Sequence, residues 1–144
     1  MFDYNANGFR LPTEAEWEIA SRGGSIAHGS GTYGTNYAGS SVINEVAWYA
    51  GNSETTHPVG GLVANELTLF DMNGNAFEWC WDWEGGETYP SSSEDPVGAD
   101  TGERRLLRGG SYLSDTTFTV FARHHTLPDS EEQYIGFRIA RNEY

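Results

Sequence analysis

Lysine is absent from this chain, and cysteine occurs once. Arginine therefore supplies all of the basic charge, and 21 acidic residues leave a formal net charge of −13. Nucleic acids and anionic membrane surfaces are bound through basic patches, so this composition excludes both as partners. Cationic ligands, calcium or basic peptides suit such a surface better. A single cysteine also excludes a disulfide within the chain.

Long apolar runs are missing as well. No run reaches the length of a transmembrane helix, and the first residues, M-F-D-Y-N-A-N-G, lack the basic and apolar regions of a signal peptide. We therefore expect no membrane insertion, and the sequence does not identify the cellular compartment. At 144 residues the chain is expected to form a single domain, residues 1–144. Eighteen glycines and 14% aromatic residues predict a loop-rich fold with large buried rings.

The most informative segment is residues 69–83, which read L-F-D-M-N-G-N-A-F-E-W-C-W-D-W. Trp79, Trp81 and Trp83 alternate with Cys80 and Asp82, and this period of two predicts a strand. The preceding D-M-N-G-N has the composition of a tight turn, because glycine adopts positive φ freely and Asn and Asp tolerate it. We expect an acidic turn that leads directly into an aromatic strand.

A helix is predicted just after Pro12. Thr13 followed by Glu16 forms a capping box, and the helix should end near Arg22, before Gly23 and Gly24. Its expected buried positions are Ala15, Trp17, Ile19 and Ala20. Glu14 and Glu18 are expected to face outward.

The remaining segments predict mostly loops and short strands. Surface loops are expected at 23–44 and 84–103, and a turn at 57–60. An apolar run at 46–50 is expected in the core. Strands are predicted at 105–109, 117–122 and 135–140.

Four blocks of sequence, in order along the chain, carry a family resemblance. They are G-F-R-L-P-T-E-A-E-W-E-I-A-S-R-G-G (8–24), the segment 69–83, R-G-G-S-Y (108–112) and I-G-F-R-I-A-R (135–141). Together they resemble the formylglycine-generating enzymes, also called sulfatase-modifying factors. The resemblance implies an α+β, loop-rich, C-type-lectin-like fold with short antiparallel strands and few helices. It covers only the C-terminal part of that domain, so we expect an N-terminally truncated domain whose uncovered apolar surface meets a dimer mate or another partner.

Asp71 and Glu78 frame the turn and could serve two purposes. Their carboxylates could cap backbone N–H groups, or they could bind a hard cation together with backbone carbonyls. The family resemblance implies the second, a structural calcium ion held by two side chains and two carbonyls. The matching positions here are Asp71, Gly74, Ala76 and Glu78. Further calcium sites would fall within residues 36–60.

The resemblance also suggests an oxidase activity. The enzymes that give the family its name use molecular oxygen and copper to oxidise a substrate cysteine to formylglycine. Two cysteines in the segment that follows the R-G-G-S motif bind the copper. Thiolates are the soft ligands that Cu(I) prefers. The matching segment here, 112–129, contains no cysteine, so copper is not expected. Cys80 is expected to pack as a small apolar side chain, because its neighbours are aromatic and acidic.

Other polar residues predict structural roles. Arg108 and Arg138 are expected to be partly buried against carboxylates such as Asp82. Ser111 is not a hydrolase nucleophile, since the surrounding sequence is not G-x-S-x-G. Adjacent histidines on a strand point to opposite faces, so a shared metal site is not predicted for them.

Residues 112–134 are rich in aromatic and adaptable polar side chains, which are typical of a binding surface. The predicted contact residues are Tyr112, Leu113, Asp115, Thr116, Phe118, Phe121, Arg123, His124, His125 and Tyr134. We therefore expect a calcium-stabilised, non-catalytic module that binds a protein or small-molecule ligand. The alternatives are a copper-dependent formylglycine-generating oxidase and, from the resemblance, a variable protein of a diversity-generating retroelement.

Overall fold

A computed structural model describes residues 8–30, 33–85 and 96–142. Its helices are α1 (Glu14–Ser21), α2 (Gly24–Ser30) and α3 (Ile43–Val46). Its strands are β1 (Ala47–Trp48), β2 (Asn73–Gly74), β3 (Phe77–Trp83), β4 (Arg105–Arg108), β5 (His124–Thr126) and β6 (Ile135–Gly136). The expected α+β, loop-rich architecture with few helices is confirmed. Within this described part of the chain, no helix has the length and apolarity needed to cross a bilayer.

The main sheet has the strand order β5-β4-β3-β6. Strand β4 pairs antiparallel with β3 and β5, whereas β6 runs parallel to β3. The short strands β1 and β2 form a second, parallel pair. The main sheet is therefore mixed: its β3–β4 and β4–β5 pairings have the expected antiparallel arrangement, and its β3–β6 pairing is parallel.

Helix α1 begins as its sequence predicts. The Thr13 side chain accepts a hydrogen bond from the Glu16 N–H, and the Glu16 carboxylate accepts one from the Thr13 N–H, which completes the capping box. The predicted outer face is wrong, because Glu14 is only 1% exposed and Ile19 is 59% exposed. Burial of Glu14 is compensated by Arg123 and Arg108, cations that lie far away in the sequence.

Strand β3 alternates as predicted, but its buried face is the polar one. Glu78, Cys80 and Asp82 point inward, and the aromatic residues between them are partly exposed. Asp82 accepts a hydrogen bond of 2.7 Å from the Glu14 N–H at the start of α1, which offsets its burial. The apolar core behind this face contains Trp17, Ala38, Met72, Cys80, Leu106 and Val120.

Several boundaries differ from the sequence predictions. The expected loop 23–44 contains α2 and the start of α3, strand 135–140 shortens to β6, and β5 was not predicted. The strand predicted at 117–122 is not formed. The Val120 N–H bonds to the distant Asn36 carbonyl, and the Ala122 N–H bonds back to the Thr119 carbonyl, which closes a turn. The alternating apolar pattern of this segment instead reflects the burial of Phe118 and Val120. Of the run 46–50 that was expected in the core, Val46 and Ala47 are buried, Trp48 and Tyr49 are half-buried, and Ala50 is exposed. Part of the expected loop 84–103, residues 86–95, lies outside the described residues.

Gly74 provides a direct test of the close contact between the paired strands β1 and β2. It has φ 67°, and a Cβ atom there would collide with the backbone carbonyl of Trp48. We expect Gly74→Ala to lower the free energy of unfolding by at least about 2 kcal/mol, from strain and displaced backbone. Gly29 in α2 is the control, since a Cβ there meets nothing within 4 Å and Gly29→Ala should be neutral or stabilising. Urea unfolding of both variants measures the difference, and equal effects would contradict this account.

Candidate functional site

The turn at residues 71–76, which contains β2 and leads into β3, includes three residues with left-handed backbone. Asp71, Gly74 and Asn75 have φ angles of 55°, 67° and 62°, which confirms the predicted turn chemistry. The Asp71 carboxylate accepts a hydrogen bond of 2.7 Å from the Gly60 N–H. The Asn75 amide exchanges two hydrogen bonds with the backbone of His57. The turn is therefore fastened to the loop at 57–60.

A cavity of about 440 Å³ opens beside this turn. Three of the four predicted calcium ligands, Asp71, Ala76 and Glu78, line it. Gly74 lies in β2, outside that lining. The remaining wall includes the apolar side chains of Val59, Leu69, Phe70 and Phe137, together with Arg138.

Glu78 already has cationic and polar partners in this arrangement. Arg138 donates to both carboxylate oxygens, at 2.5 Å from Nε and 2.6 Å from Nη2. The Trp17 indole N–H donates a third hydrogen bond of 2.6 Å. Asp71 and Glu78 carry carboxylates and Ala76 a backbone carbonyl, the kinds of oxygen donor that a hard cation takes, so the residues at this cavity are compatible with calcium. Both Glu78 oxygens already accept hydrogen bonds, from Arg138 and Trp17. No group of three or more His, Cys, Asp or Glu side chains within residues 8–30, 33–85 and 96–142 could hold a metal.

The arginines are buried against carboxylates, as expected, but their partners are on α1 and β3. Arg108 is 0% exposed and lies 2.7 Å from Glu18 and 3.5 Å from Glu14. Its guanidinium also donates to the backbone carbonyls of Val120 and Ala122. The predicted partner, Asp82, instead accepts from the helix N-terminus.

Cys80 lies on the inner face of β3 and is 0% exposed. Burial raises the pKa of its thiol well above the ordinary value, and the neighbouring Asp82 carboxylate adds to that rise. A protonated thiol is a poor nucleophile and a poor copper ligand. The packing role predicted for Cys80 agrees with this environment.

Most of the predicted contact residues between 112 and 134 are exposed. Leu113 and Phe121 are 56% and 44% exposed, and Asp115, Thr116, Arg123, His124 and His125 are also open to solvent. The half-buried members are Tyr112 and Tyr134. Phe118 is the exception, because it is 2% exposed and packs near the rings of Tyr37 and Tyr49. Phe118 therefore supports this surface from within and does not belong to its exposed part.

The structure divides the predicted surface into two groups. Residues 112–116 lie against earlier loops, since the Ala50 N–H bonds to Ser114 and the Tyr37 hydroxyl bonds to the Thr116 carbonyl. His124, on β5, instead packs 4.7 Å from the Phe77 ring, which also contacts Tyr134. Tyr37 and Phe77 were not predicted at this surface, and no spacing in the sequence connects them to it.

The loop beside residues 112–116 holds a histidine whose place was not predicted. His57 stacks on Trp48 with 3.8 Å between ring centroids, and its Nε2 lies 2.9 Å from the Ser53 hydroxyl. The Ser53 hydroxyl also donates to the Thr55 carbonyl at 2.6 Å. Because the Thr55 carbonyl can only accept, it competes with His57 for the single Ser53 proton, and the pair is not an isolated nucleophile and base.

Comparison with known proteins gives a consistent family. A family model described as "Sulfatase-modifying factor enzyme 1-like domain" matches residues 3–143. The chaperone protein LppX of Paenibacillus barcinonensis is 38% identical over 127 residues, which cover 76% of this chain and 40% of that protein. The formylglycine-generating enzyme of Streptomyces coelicolor is 37% identical over 155 residues, covering 94% of this chain and 47% of the enzyme.

A solved structure shows the same fold. Treponema denticola variable protein 1 superposes with a TM-score of 0.85 and 34% identity, covering 97% of this chain and 50% of that chain. The chain thus spans about half, or less, of the length of the relatives it matches.

His124 provides a pH test of the β5 group. Burial lowers the pKa of His124 from its ordinary value of 6.5, and His125 and Arg108 lower it further. The unfolded chain therefore takes up this proton first as the pH falls, and stability is lost below the unfolded pKa. We expect the free energy of unfolding to fall less between about pH 7.5 and about pH 5.5 in His124→Gln than in the unmodified chain. His28→Gln, which alters a histidine stacked on Tyr33, should keep the original slope, and equal slopes for all three would contradict the assignment.

Proposed function

The chain belongs to the sulfatase-modifying factor enzyme 1-like domain family, and from that premise we propose that it is a non-catalytic, calcium-stabilised binding module. Its contact surface is formed by the exposed part of residues 112–134. The observation that carries the proposal is the state of the sole thiol. Cys80 is fully buried, its pKa is raised, and the chain has no second cysteine with which to hold copper.

The copper-dependent oxidase is the principal alternative, and the thiol chemistry argues against it. Cu(I) selects deprotonated sulfur, and thiolates form where a cation or a helix N-terminus stabilises them. Cys80 lies between the inward-facing carboxylates of Glu78 and Asp82, which disfavour a second negative charge. A relative from Streptomyces coelicolor is named a formylglycine-generating enzyme, but this chain has a single cysteine and so lacks a sulfur pair.

The contact surface is supported by rigid internal anchors. Arg123 donates to the Glu14 carboxylate, and Phe118 packs near Tyr37 and Tyr49 beneath the exposed residues. Holding exposed side chains in place before binding reduces the entropy lost when a ligand arrives. Leu113, Phe121 and the histidines then offer an apolar and polar mixture suited to a protein or small-molecule ligand.

Two relatives have names that fit a binding role better than oxidation. One is named a chaperone, and the structural neighbour is named a variable protein. The second name supports the further alternative, in which this chain is a variable protein of a diversity-generating retroelement. For the binding module and for the variable protein alike, the proposed ligand-binding residues are the exposed part of residues 112–134, so the contact-surface test below applies to both.

Calcium is proposed to stabilise the turn at residues 71–76, which leads into β3. The Asp71 and Glu78 side chains and the Ala76 carbonyl would hold it at the cavity, whereas Gly74, the fourth position of the family arrangement, lies outside the lining of that cavity. The ion would neutralise the two carboxylates and join the oxygens that coordinate it. The proposed partner or dimer mate would cover the apolar side chains near β6, where Phe9, Phe137 and Ile139 are all more than half exposed.

The non-catalytic assignment is tested with copper and a thiol substrate. We expect no tight, stoichiometric binding of Cu(I) in the presence of a competing chelator, because the chain offers one buried, protonated thiol. A sulfatase-derived cysteine peptide incubated with the chain, copper and oxygen should yield no aldehyde detectable by mass spectrometry. Cys80→Ala should behave identically. Binding of one copper that Cys80→Ala abolishes, or aldehyde formation, would refute the assignment.

The contact surface is tested by screening the chain on immobilised glycan and peptide arrays. For any hit, Leu113→Ala or Phe121→Ala should weaken binding by about tenfold or more, because large side chains at the centre of an interface dominate affinity. Ile26→Ala is the matched control, since Ile26 is 55% exposed on α2 and is not part of the proposed surface. A hit weakened by Ile26→Ala and not by the other variants would place binding elsewhere.

A further inference from the structure

We propose that Arg138 is a built-in counter-cation that competes with calcium for Glu78 and thereby weakens calcium binding at this cavity. The inference rests on the calcium site proposed above. It concerns a residue outside that predicted ligand set, on the segment that follows β6. Its consequence is a turn that keeps its structure without the ion and responds to calcium only at higher concentration.

The first observation is the completeness of the Arg138–Glu78 pair. The guanidinium donates to both carboxylate oxygens in the two-pronged geometry that makes arginine–carboxylate pairs strong. Glu78 is only 9% exposed, so its charge would be costly without a cation beside it. Arg138 meets that requirement from within the chain.

The second observation is that Arg138 contacts both ends of the turn. Its Nη2 atom lies 3.2 Å from the Phe70 carbonyl and 3.4 Å from the Asp71 carbonyl, in addition to its bonds with Glu78. One guanidinium therefore bridges the residues that begin and end the predicted calcium loop. A bound metal would hold the same two ends together, so Arg138 performs part of the metal's structural role.

The third observation is that the guanidinium is open to solvent. The Arg138 side chain is 24% exposed and lines the open cavity, whereas Arg108 is fully buried. A calcium ion near Asp71 and Glu78 would repel this positive charge across a few ångströms. Calcium must either displace Arg138 towards solvent or share Glu78 with it, and both reduce the affinity for calcium.

Calorimetric titration with calcium chloride and thermal melting test this competition. The variant Arg138→Gln should bind calcium about tenfold or more tightly than the unmodified chain, because the repulsion is removed. Its melting temperature should be lower in chelator, and calcium should raise it by a larger interval. Arg141→Gln is the charge-matched control, since Arg141 lies over the Phe9 ring on the same terminal segment, and it should bind calcium like the unmodified chain.

Two more variants keep the test decisive if Arg138→Gln folds poorly without calcium. Arg138→Lys keeps the charge and loses the two-pronged geometry, so its calcium affinity should lie between those of the unmodified chain and Arg138→Gln. Glu78→Gln should remove most calcium binding, whatever residue occupies position 138. Tighter binding by Arg141→Gln equal to that of Arg138→Gln would reduce the effect to net charge and overturn the proposal.

The outcomes separate the two proposals. If the unmodified chain binds calcium and Arg138→Gln binds it no more tightly, the competition is overturned and the calcium site stands. If only Arg138→Gln binds calcium, the competition stands and calcium is not a ligand of the natural chain. If neither binds calcium, both proposals are overturned.

Discussion

The buried guanidinium of Arg108 is the constraint on which the rest of this structure depends. A fully desolvated arginine destabilises a fold strongly unless carboxylates and carbonyls surround it. Here Glu14 and Glu18 supply the charge, and the carbonyls of Val120 and Ala122 accept hydrogen bonds from its two terminal nitrogens, while its buried Nε has no hydrogen-bond partner among the residues that the structure describes. These partners lie on α1 and on the turn that precedes β5. One cation therefore fixes the helix, the sheet and the first part of the contact segment relative to one another.

A second carboxylate–arginine pair extends this arrangement to the turn. Trp17 on α1 lies beneath the Arg108 guanidinium and donates its indole N–H to Glu78, which Arg138 also holds. Helix α1 thus provides the carboxylates that pair with Arg108, and its Trp17 indole donates to the carboxylate that pairs with Arg138. The polar inner face of β3 is stable because each charged group meets a partner from a different part of the chain. This is why the tryptophans of β3, and not its acids, are left partly exposed.

Local signals in the sequence predicted local structure well. The capping box, the alternation in β3 and the positive φ of the turn each depend on residues a few positions apart, and all three are confirmed. Long-range compensation could not be predicted in the same way. The helical pattern placed Glu14 outside, because the arginines that allow its burial lie about a hundred residues later. Phe118 was assigned to the surface for the same reason, since the rings that enclose it belong to Tyr37 and Tyr49.

The arrangement that stabilises the fold also bears on its chemistry. Cys80 occupies the inward position of β3 between Glu78 and Asp82, so burial first and the neighbouring Asp82 carboxylate second raise the pKa of its thiol and suppress the thiolate. A reactive sulfur would need a cation as close neighbour, and the arginines near this face are engaged by carboxylates. Chemistry at that face would therefore require breaking the pairs that hold the domain together. Apart from Arg123 and His125, which contact Glu14 and Glu84, the exposed residues of the 112–134 segment take no part in these pairs, so side chains of the proposed contact surface can vary there while the charged interior remains unchanged.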